Sequence, residues 1–467
     1  MTPPRLRVAI IGAGPAGAFT AARLRARGDR FDVDLFERLP TPWGLLRAGV
    51  APDHGAIKTL DEQFDKATFG RGSRFFGNVE VGRDLQHADL AARYHVVVYA
   101  TGAQTDKSLG IPGEDLPGSL PATEFVGWYN GHPDYRDLQP DLSHPTAVVI
   151  GNGNVAADVT RILTRSVDEL AQTDLADHAL EQLRESKVER VIVLGRRGPA
   201  QAAFTNAELR ELGRMEGVNV EVRSDEITLD PVSAAWLADE GTFTARRNVE
   251  RLRAYAEAPA KPGATRAIEL RFLRSPVAVH GDGRVQAVEI VTNEIYKDDR
   301  GSIRARALDG TNETIETGLV LRSVGYRAVP LPDVPFDEGG YVLPNEQGRV
   351  LDATSREVVP GVYTVGWIKR GPTGILGTNK RDAEETVASI VADWEAGNLP
   401  EPESSGDIAE LLAGRDDVVS AEGWREIDAR ERAAGATSGR PRVKLASRDE
   451  LLGAAQGVAP VEAAVTT

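Results

Sequence analysis

Two glycine-rich loops, each at the end of a short apolar run, constrain this chain more than any other feature. Val8–Ile11 leads into Gly12-Ala13-Gly14-Pro15-Ala16-Gly17, a GxGxxG, and Ala147–Ile150 leads into Gly151-Asn152-Gly153-Asn154-Val155-Ala156, a GxGxxA. In such a loop the first glycine permits a tight turn and the second lets the backbone approach a pyrophosphate. The third small residue lets the following helix pack closely on the strand. The helix N-terminus then presents free N–H groups to the phosphates. Two copies predict an α/β fold with two Rossmann-like dinucleotide-binding domains.

The residues that end each second strand tell the loops apart. After the first loop, a predicted helix Ala16–Arg27 and strand Phe31–Phe36 lead to Glu37, 20 residues beyond Gly17. A carboxylate there accepts hydrogen bonds from a ribose 2′-hydroxyl and repels a 2′-phosphate, so the site suits FAD or NAD and not NADP. After the second loop a long helical region of about 30 residues is expected, including the polar stretch 165–188, on the pattern of a strand–helix–strand unit. The next strand, Arg190–Leu194, ends in Gly195-Arg196-Arg197. Two guanidinium groups at that place accommodate a 2′-phosphate and point to NADP(H). The plainer readings are a glycine turn with an incidental glutamate, and a solvated arginine pair.

Two further strand ends bear on the first site. Val96–Ala100 ends in Thr101-Gly102, an ending common in flavoproteins that also bind a nicotinamide nucleotide. Gly361–Val365 ends in Gly366-Trp367, followed by Lys369-Arg370-Gly371-Pro372-Thr373-Gly374-Ile375-Leu376 and a helix from Asn379 whose apolar face is Ala383, Val387, Ile390, Val391 and Trp394. Backbone N–H groups at Gly374, Ile375 and Leu376, with the positive end of that helix, suit negative charge on a reduced flavin. Trp367 either borders the ring system or belongs to the core.

Composition removes several chemistries. The chain of 467 residues contains no cysteine, so it holds no redox disulfide, no cysteine-ligated iron–sulfur cluster and no thiolate nucleophile. Electrons must reside on a bound organic cofactor and leave to another molecule; no metal site is expected. The formal charge of −15 excludes nucleic-acid binding by the chain as a whole. No apolar run reaches membrane-span length, and the N-terminal stretch lacks the features of a signal peptide, so a cytoplasmic location is expected. The expected organisation is an FAD-binding domain of residues 1–106 plus 330–467, with an NADP-binding domain, 107–329, inserted. Residues 399–467, with 8 basic and 13 acidic side chains, read as an appended, loosely packed, solvated segment.

Longer stretches resemble one family, the NADPH–ferredoxin reductases of the adrenodoxin-reductase type, in their bacterial, actinobacterial-like form. They are LPTPWGLLRAGVAPDH at Leu39–His54, VVIGNGNVAADV at Val148–Val159, VLGRRGPAQAAFTNAELREL at Val193–Leu212, RSVGY at Arg322–Tyr326 and VGWIKRGPTGILGTNK at Val365–Lys380. The resemblance implies FAD contacts at Ala16, Glu37, Leu45, Val81, Lys107, Trp367 and Gly374–Leu376, alongside Gly12, Gly14 and Gly17 of the loop. It implies NADP contacts at Asn152, Gly153, Asn154, Val155, Arg196, Arg197, Glu208 and Gly374. His54 and Glu211 resemble the family's active-site ionic pair, although a histidine in a Pro-Asp-His turn is more often a loop cap. Ala16 and Lys107 depart from the residues usual in the family.

The implied partner is a ferredoxin-type iron–sulfur protein. Ferredoxins are acidic, so a docking face should be locally basic. Arg210, Arg214, Arg247 and Arg251 are the expected docking residues, with Arg246 and Arg253 near them; a solvated helix face is the competing reading. Other readings are an NADPH diaphorase or quinone reductase without a protein partner, and a non-catalytic nucleotide-binding regulator. A glutamate-synthase-type electron-donating subunit is disfavoured by the absence of cysteine clusters.

Overall fold

A computed structural model describes residues 5–374 and 376–458, the side chains of Ala56 and Lys58 excepted. The chain divides into two compact units. The first comprises Met1–Thr105, Asn130–Pro133 and Tyr326–Thr467; the second comprises Asp106–Tyr129 and Asp134–Gly325.

In the first unit, Leu6–Ile11 is apolar on both faces and lies inside a seven-stranded sheet. A strand covered on both faces has no polar side, which is why its sequence does not alternate. The strand order is Asn345–Glu346, Arg349–Leu351, Val358–Thr364, Val96–Tyr99, Leu6–Ile11, Phe31–Glu37 and Ser73–Gly77, the last five parallel. Register sets Ile11 opposite Phe36 and Tyr99, Thr364 opposite Tyr99, and Glu37 opposite Gly77, so the strand ends that carry the motifs share one edge. One face of the sheet, with Val8 and Ile10, packs under helices Pro15–Arg25 and Leu376–Glu395. The other, with Ala9, Ile11 and Tyr99, meets Phe36, Val79 and Ile368.

The second unit holds a six-stranded parallel sheet, in the order Ser119–Pro121, Leu319–Arg322, Thr146–Ile150, Arg190–Gly195, Arg266–Phe272 and Val218–Val222. A four-stranded antiparallel sheet, Arg274–His280, Ala287–Lys297, Ile303–Ala307 and Glu313–Glu316, follows from it in the chain.

Two expectations are corrected. The long helical region after the second loop is broken into Asn154–Thr164, Val167–Leu170 and Asp177–Arg184. Arg165 leaves the helix with ψ 150°, and Ser166 begins a new one, its side chain accepting from the Glu169 N–H in a capping box. The C-terminal segment is not a loose solvated extension where it is described: Trp424, Ile427 and Glu431 of helix Ala421–Ser438 are buried, and Glu431 is fully so. Among the described residues no helix is long and apolar enough to cross a membrane.

Candidate functional site

The first loop is built as the glycine pattern requires. Gly12 has φ +104°, and a Cβ there would sit 2.6 Å from the Ala100 carbonyl oxygen. A Cβ on Gly17 would strike the Gly12 carbonyl oxygen, so this helix can approach the strand only with glycine at that place. Gly14 is the N-cap of helix Pro15–Arg25 and supplies no side-chain cap, which leaves the first N–H groups available to an anion. Ala16 is buried, and a Cβ on Gly366 would come within 2.6 Å of its methyl group, so the turn after the 358–364 strand closes on the helix start.

Glu37 is fixed beside this loop. Its Oε2 accepts from the Ala13 N–H at 2.9 Å and its Oε1 from the Leu39 N–H at 3.2 Å. Burial raises the pKa of its carboxyl, and those two backbone bonds oppose the rise. Each oxygen retains a lone pair for a ribose hydroxyl. A third wall, picked out by no glycine motif, is Trp43-Gly44. The Trp43 N–H donates to the Ala13 carbonyl at 2.9 Å, and a Cβ on Gly44, φ +49°, would lie 3.1 Å from the Gly14 Cα. The glycine inside LPTPWGLL is the sequence signal for this close approach.

The remaining residues expected around FAD fall as follows. Leu45, half-buried, starts the short helix Leu45–Ala48, and Val81 is buried in the loop after Ser73–Gly77. Trp367 is half-buried at the start of helix Trp367–Arg370; its Nε1 donates to the Thr373 carbonyl at 3.2 Å and its ring lies 5.2 Å from that of Tyr326. It lines the turn and, with Tyr326, packs against the core cluster of the sheet. Gly374 has φ +85°. Leu376 begins the helix that runs to Glu395, three residues before the expected start at Asn379. Ile375 lies outside the described residues. Lys107 is exposed, belongs to the second unit, and donates its N–H to the Gly325 carbonyl at 2.9 Å.

The second cradle repeats the design. Gly151 has φ +120°, and a Cβ there would strike the Ser323 carbonyl oxygen. Gly153 is the N-cap of helix Asn154–Thr164, again without a side-chain cap, and the space beside it is open. Asn152 Nδ2 is buried without a hydrogen-bond partner and lies where Gly195 leaves room: a Cβ on Gly195 would be 2.6 Å from it. Asn154 Oδ1 accepts from the Thr205 N–H at 2.9 Å, and Thr205 caps helix Asn206–Leu212 by accepting from Glu208 N–H at 3.3 Å. Val155 is half-buried on the core. Glu208 is paired with the fully buried Arg161, which also holds Asp158 at 2.6 Å. Thus the loop and helix Asn206–Leu212 are tied through Asn154 and through Arg161, a residue no motif singles out.

Arg196 and Arg197 are exposed at the end of Arg190–Gly195. Their turn is gripped from below: buried Asn293 donates Nδ2 to the Arg196 carbonyl at 2.7 Å, and Leu273 N–H donates to the Arg197 carbonyl at 3.2 Å. Burial, then the neighbouring charges of Arg196 and Arg304, lower the pKa of Arg197 from its usual value. Arg304 is itself paired with Asp298 at 2.9 Å, and the two adjacent guanidinium groups of Arg196 and Arg197 suit a dianion.

His54 and Glu211 lie in different units. His54 is half-buried and stands at the N-cap of helix Gly55–Lys58, which its side chain does not cap. Glu211 is half-buried on helix Asn206–Leu212. Of the docking residues, Arg210 and Arg214 are exposed on and just past that helix, and Arg214 and Arg251 both act on the Tyr255 hydroxyl. Arg247 stacks over exposed Phe243 and pairs with Glu250 at 3.0 Å. Arg246 is spent on the Leu237 and Ala238 carbonyls.

These cradles fit dinucleotides. Each has an uncapped helix N-terminus behind a first glycine, Gly12 or Gly151, that admits no side chain; the first adds a hydroxyl acceptor, the second a buried orphan donor and two exposed cations.

The family described as pyridine nucleotide-disulphide oxidoreductase matches residues 6–224. The chain is 48% identical over 458 residues to the NADPH-ferredoxin reductase FprA of Mycobacterium leprae, covering 95% of this chain and 97% of that one. It is 41% identical to the mitochondrial NADPH:adrenodoxin oxidoreductase of Arabidopsis thaliana, covering 96% and 95%. Its structure matches that of Mycobacterium tuberculosis FprA in complex with NADPH with a TM-score of 0.90 at 46% identity, covering 97% of this chain and 100% of the other.

Proposed function

The chain belongs to the NADPH–ferredoxin reductases of the adrenodoxin-reductase type, and we propose that its two cradles divide the nucleotides by their second-strand ends, FAD at Glu37 and NADP(H) at Arg196 and Arg197. It is an FAD-dependent ferredoxin–NADP(+) reductase with a ferredoxin-type partner. When bound, FAD would supply the chemistry the cysteine-free chain lacks, uptake of a hydride and release of single electrons.

The chain's own residues bind and orient. The N–H groups after Gly14 and after Gly153 hold the two pyrophosphates, Glu37 accepts ribose hydroxyls, and Arg196 and Arg197 take the 2′-phosphate. Ala16, Leu45, Val81, Trp367, Gly374 and Leu376 line the flavin nucleotide; Asn152, Val155 and Glu208 line the other. The opposite charge at the two strand ends carries this reading. Anaerobic NADPH titration should bleach one bound flavin, and cytochrome c reduction should then depend on added ferredoxin. Equal turnover with a quinone or dye and no saturation by ferredoxin favours a diaphorase instead.

We assign His54 and Glu211 to the positioning of flavin and nicotinamide, since hydride transfer requires no general base. His54→Gln should keep FAD and change the rate of flavin reduction by NADPH about tenfold, which corresponds to about 1.4 kcal/mol in the barrier. An unchanged stopped-flow rate removes the assignment.

Arg210, Arg214, Arg247 and Arg251 form the proposed ferredoxin-docking face. Arg247→Glu should lower ferredoxin-coupled cytochrome c reduction roughly tenfold at low salt, converging with wild type as salt rises, while dye reduction holds. Equal losses in both assays place docking elsewhere. The proposed location is the cytoplasm.

A further inference from the structure

We propose that residues 415–448 of the first unit are a latch that sets how long FAD stays bound, with Glu431 and Arg448 as its positioning residues. The proposal rests on the assignment of FAD to the first cradle.

The latch grips two loops of that cradle from behind. The first is 43–47. Arg47 donates Nη1 to Glu431 Oε2 at 2.8 Å and Nη2 to Oε1, a bidentate pair in which Glu431 is 0% exposed. The same carboxylate accepts from Arg442 Nη1 at 3.1 Å and from the Leu445 N–H at 2.9 Å. Lys444 Nζ donates to the Arg47 carbonyl at 3.2 Å, and Trp424 packs edge-on to Trp43 with ring centroids 4.8 Å apart. Trp43 and Gly44 are the residues that lean on Ala13 and Gly14 of the glycine loop.

The second loop is 77–84. Arg448 Nη1 donates to the Arg38 carbonyl at 3.2 Å and to Asn78 Oδ1. Asn78, with φ +59°, donates Nδ2 to Asp417 Oδ2 at 2.8 Å, and Arg415 Nη2 donates to the Asn78 carbonyl at 2.9 Å. Gly77 and Val419 exchange backbone hydrogen bonds of 2.8 and 2.9 Å. Arg38 adjoins Glu37, and Asn78 leads into Val81.

A plain brace needs only apolar packing, because a buried ion pair stabilises a fold no better than apolar groups of the same volume. What a bidentate pair adds is direction. Burial alone would raise the Glu431 carboxyl, but Arg47 and then Arg442 hold it below its usual range, so the fastening stays charged. Both gripped loops carry lining residues of the first cradle, Leu45 and Val81, and both are fastened to the same 34-residue span by charged side chains.

The test uses the FAD-loaded full chain. Glu431→Gln and Arg448→Met should each release FAD about tenfold faster on dilution at 20 °C, one charge-assisted contact being roughly that factor. On heating, flavin fluorescence should appear at a lower temperature than far-UV circular dichroism is lost, whereas in wild type the two coincide. NADP+ affinity should not change. Unchanged release in Arg448→Met, or flavin release and unfolding that shift together in both variants, overturns the latch and leaves a brace. Arg448→Met carries the test if Glu431→Gln does not fold. Glu37→Ala serves as the control: full FAD retention there refutes the cradle assignment itself, and the latch with it.

Discussion

Replacing Arg196 and Arg197 together by alanine should raise KM for NADPH about a hundredfold and leave KM for NADH in place. A charge-assisted hydrogen bond is worth about 1.5–3 kcal/mol, and exposure puts both arginines at the low end of that range. Two such bonds give about 3 kcal/mol, which is roughly a factor of 100. The effect is confined to one nucleotide because the turn backbone is held independently, by Asn293 on the Arg196 carbonyl and by Leu273 on the Arg197 carbonyl. The measurement is kcat/KM for both nucleotides. An unchanged ratio means that the 2′-phosphate is read by other residues.

Gly17→Ala should produce a chain with at least a hundredfold weaker FAD binding. The new methyl group strikes a backbone carbonyl, that of Gly12, and not the mobile end of a side chain. Either the helix Pro15–Arg25 backs away from the strand or the loop deforms, and both displace the N–H groups that face the phosphates. Overpacking of this kind costs about 1–3 kcal/mol and more where backbone must move. Gly14→Ala is the comparison for the protein's own packing: a Cβ there meets no protein atom nearer than the Gly44 Cα at 3.9 Å, so that apoprotein should melt as the wild type does, although a methyl group beside the pyrophosphate still weakens FAD. Melting of the two apoproteins distinguishes them; a Gly17→Ala apoprotein as stable as that of Gly14→Ala removes the steric argument.

The parts of this protein legible in its sequence are those whose physics is local. A glycine that must avoid a carbonyl, a carboxylate 20 residues beyond the loop and an arginine pair at a strand end all follow from short spacings, and each lies where those spacings put it. The broken helix was also legible: Ser166-Val167-Asp168-Glu169 is a capping box, and a helical period alone hides it. The Glu431 fastening was not. Its partner Arg47 stands 384 residues away, and nothing in either neighbourhood announces a pair. Composition pointed the wrong way, because an acidic, alanine-rich tail has the same residue content whether its helix is solvated or packed. Arg161 is hidden for a related reason. It looks like one more arginine on a helix, and only the fold carries Glu208 to it.

The interrupted first unit has a consequence for the order in which the chain acquires structure. Its glycine loop leaves the ribosome first, yet strand Val358–Thr364, which flanks Val96–Tyr99, and the Glu431 fastening of Arg47 are both made near the end. The second unit, complete by Gly325, is whole before either exists. Domains usually form in the order of synthesis. Synthesis in that order would finish the first unit last, its sheet still lacking strand Val358–Thr364 when the whole of the second unit has been made.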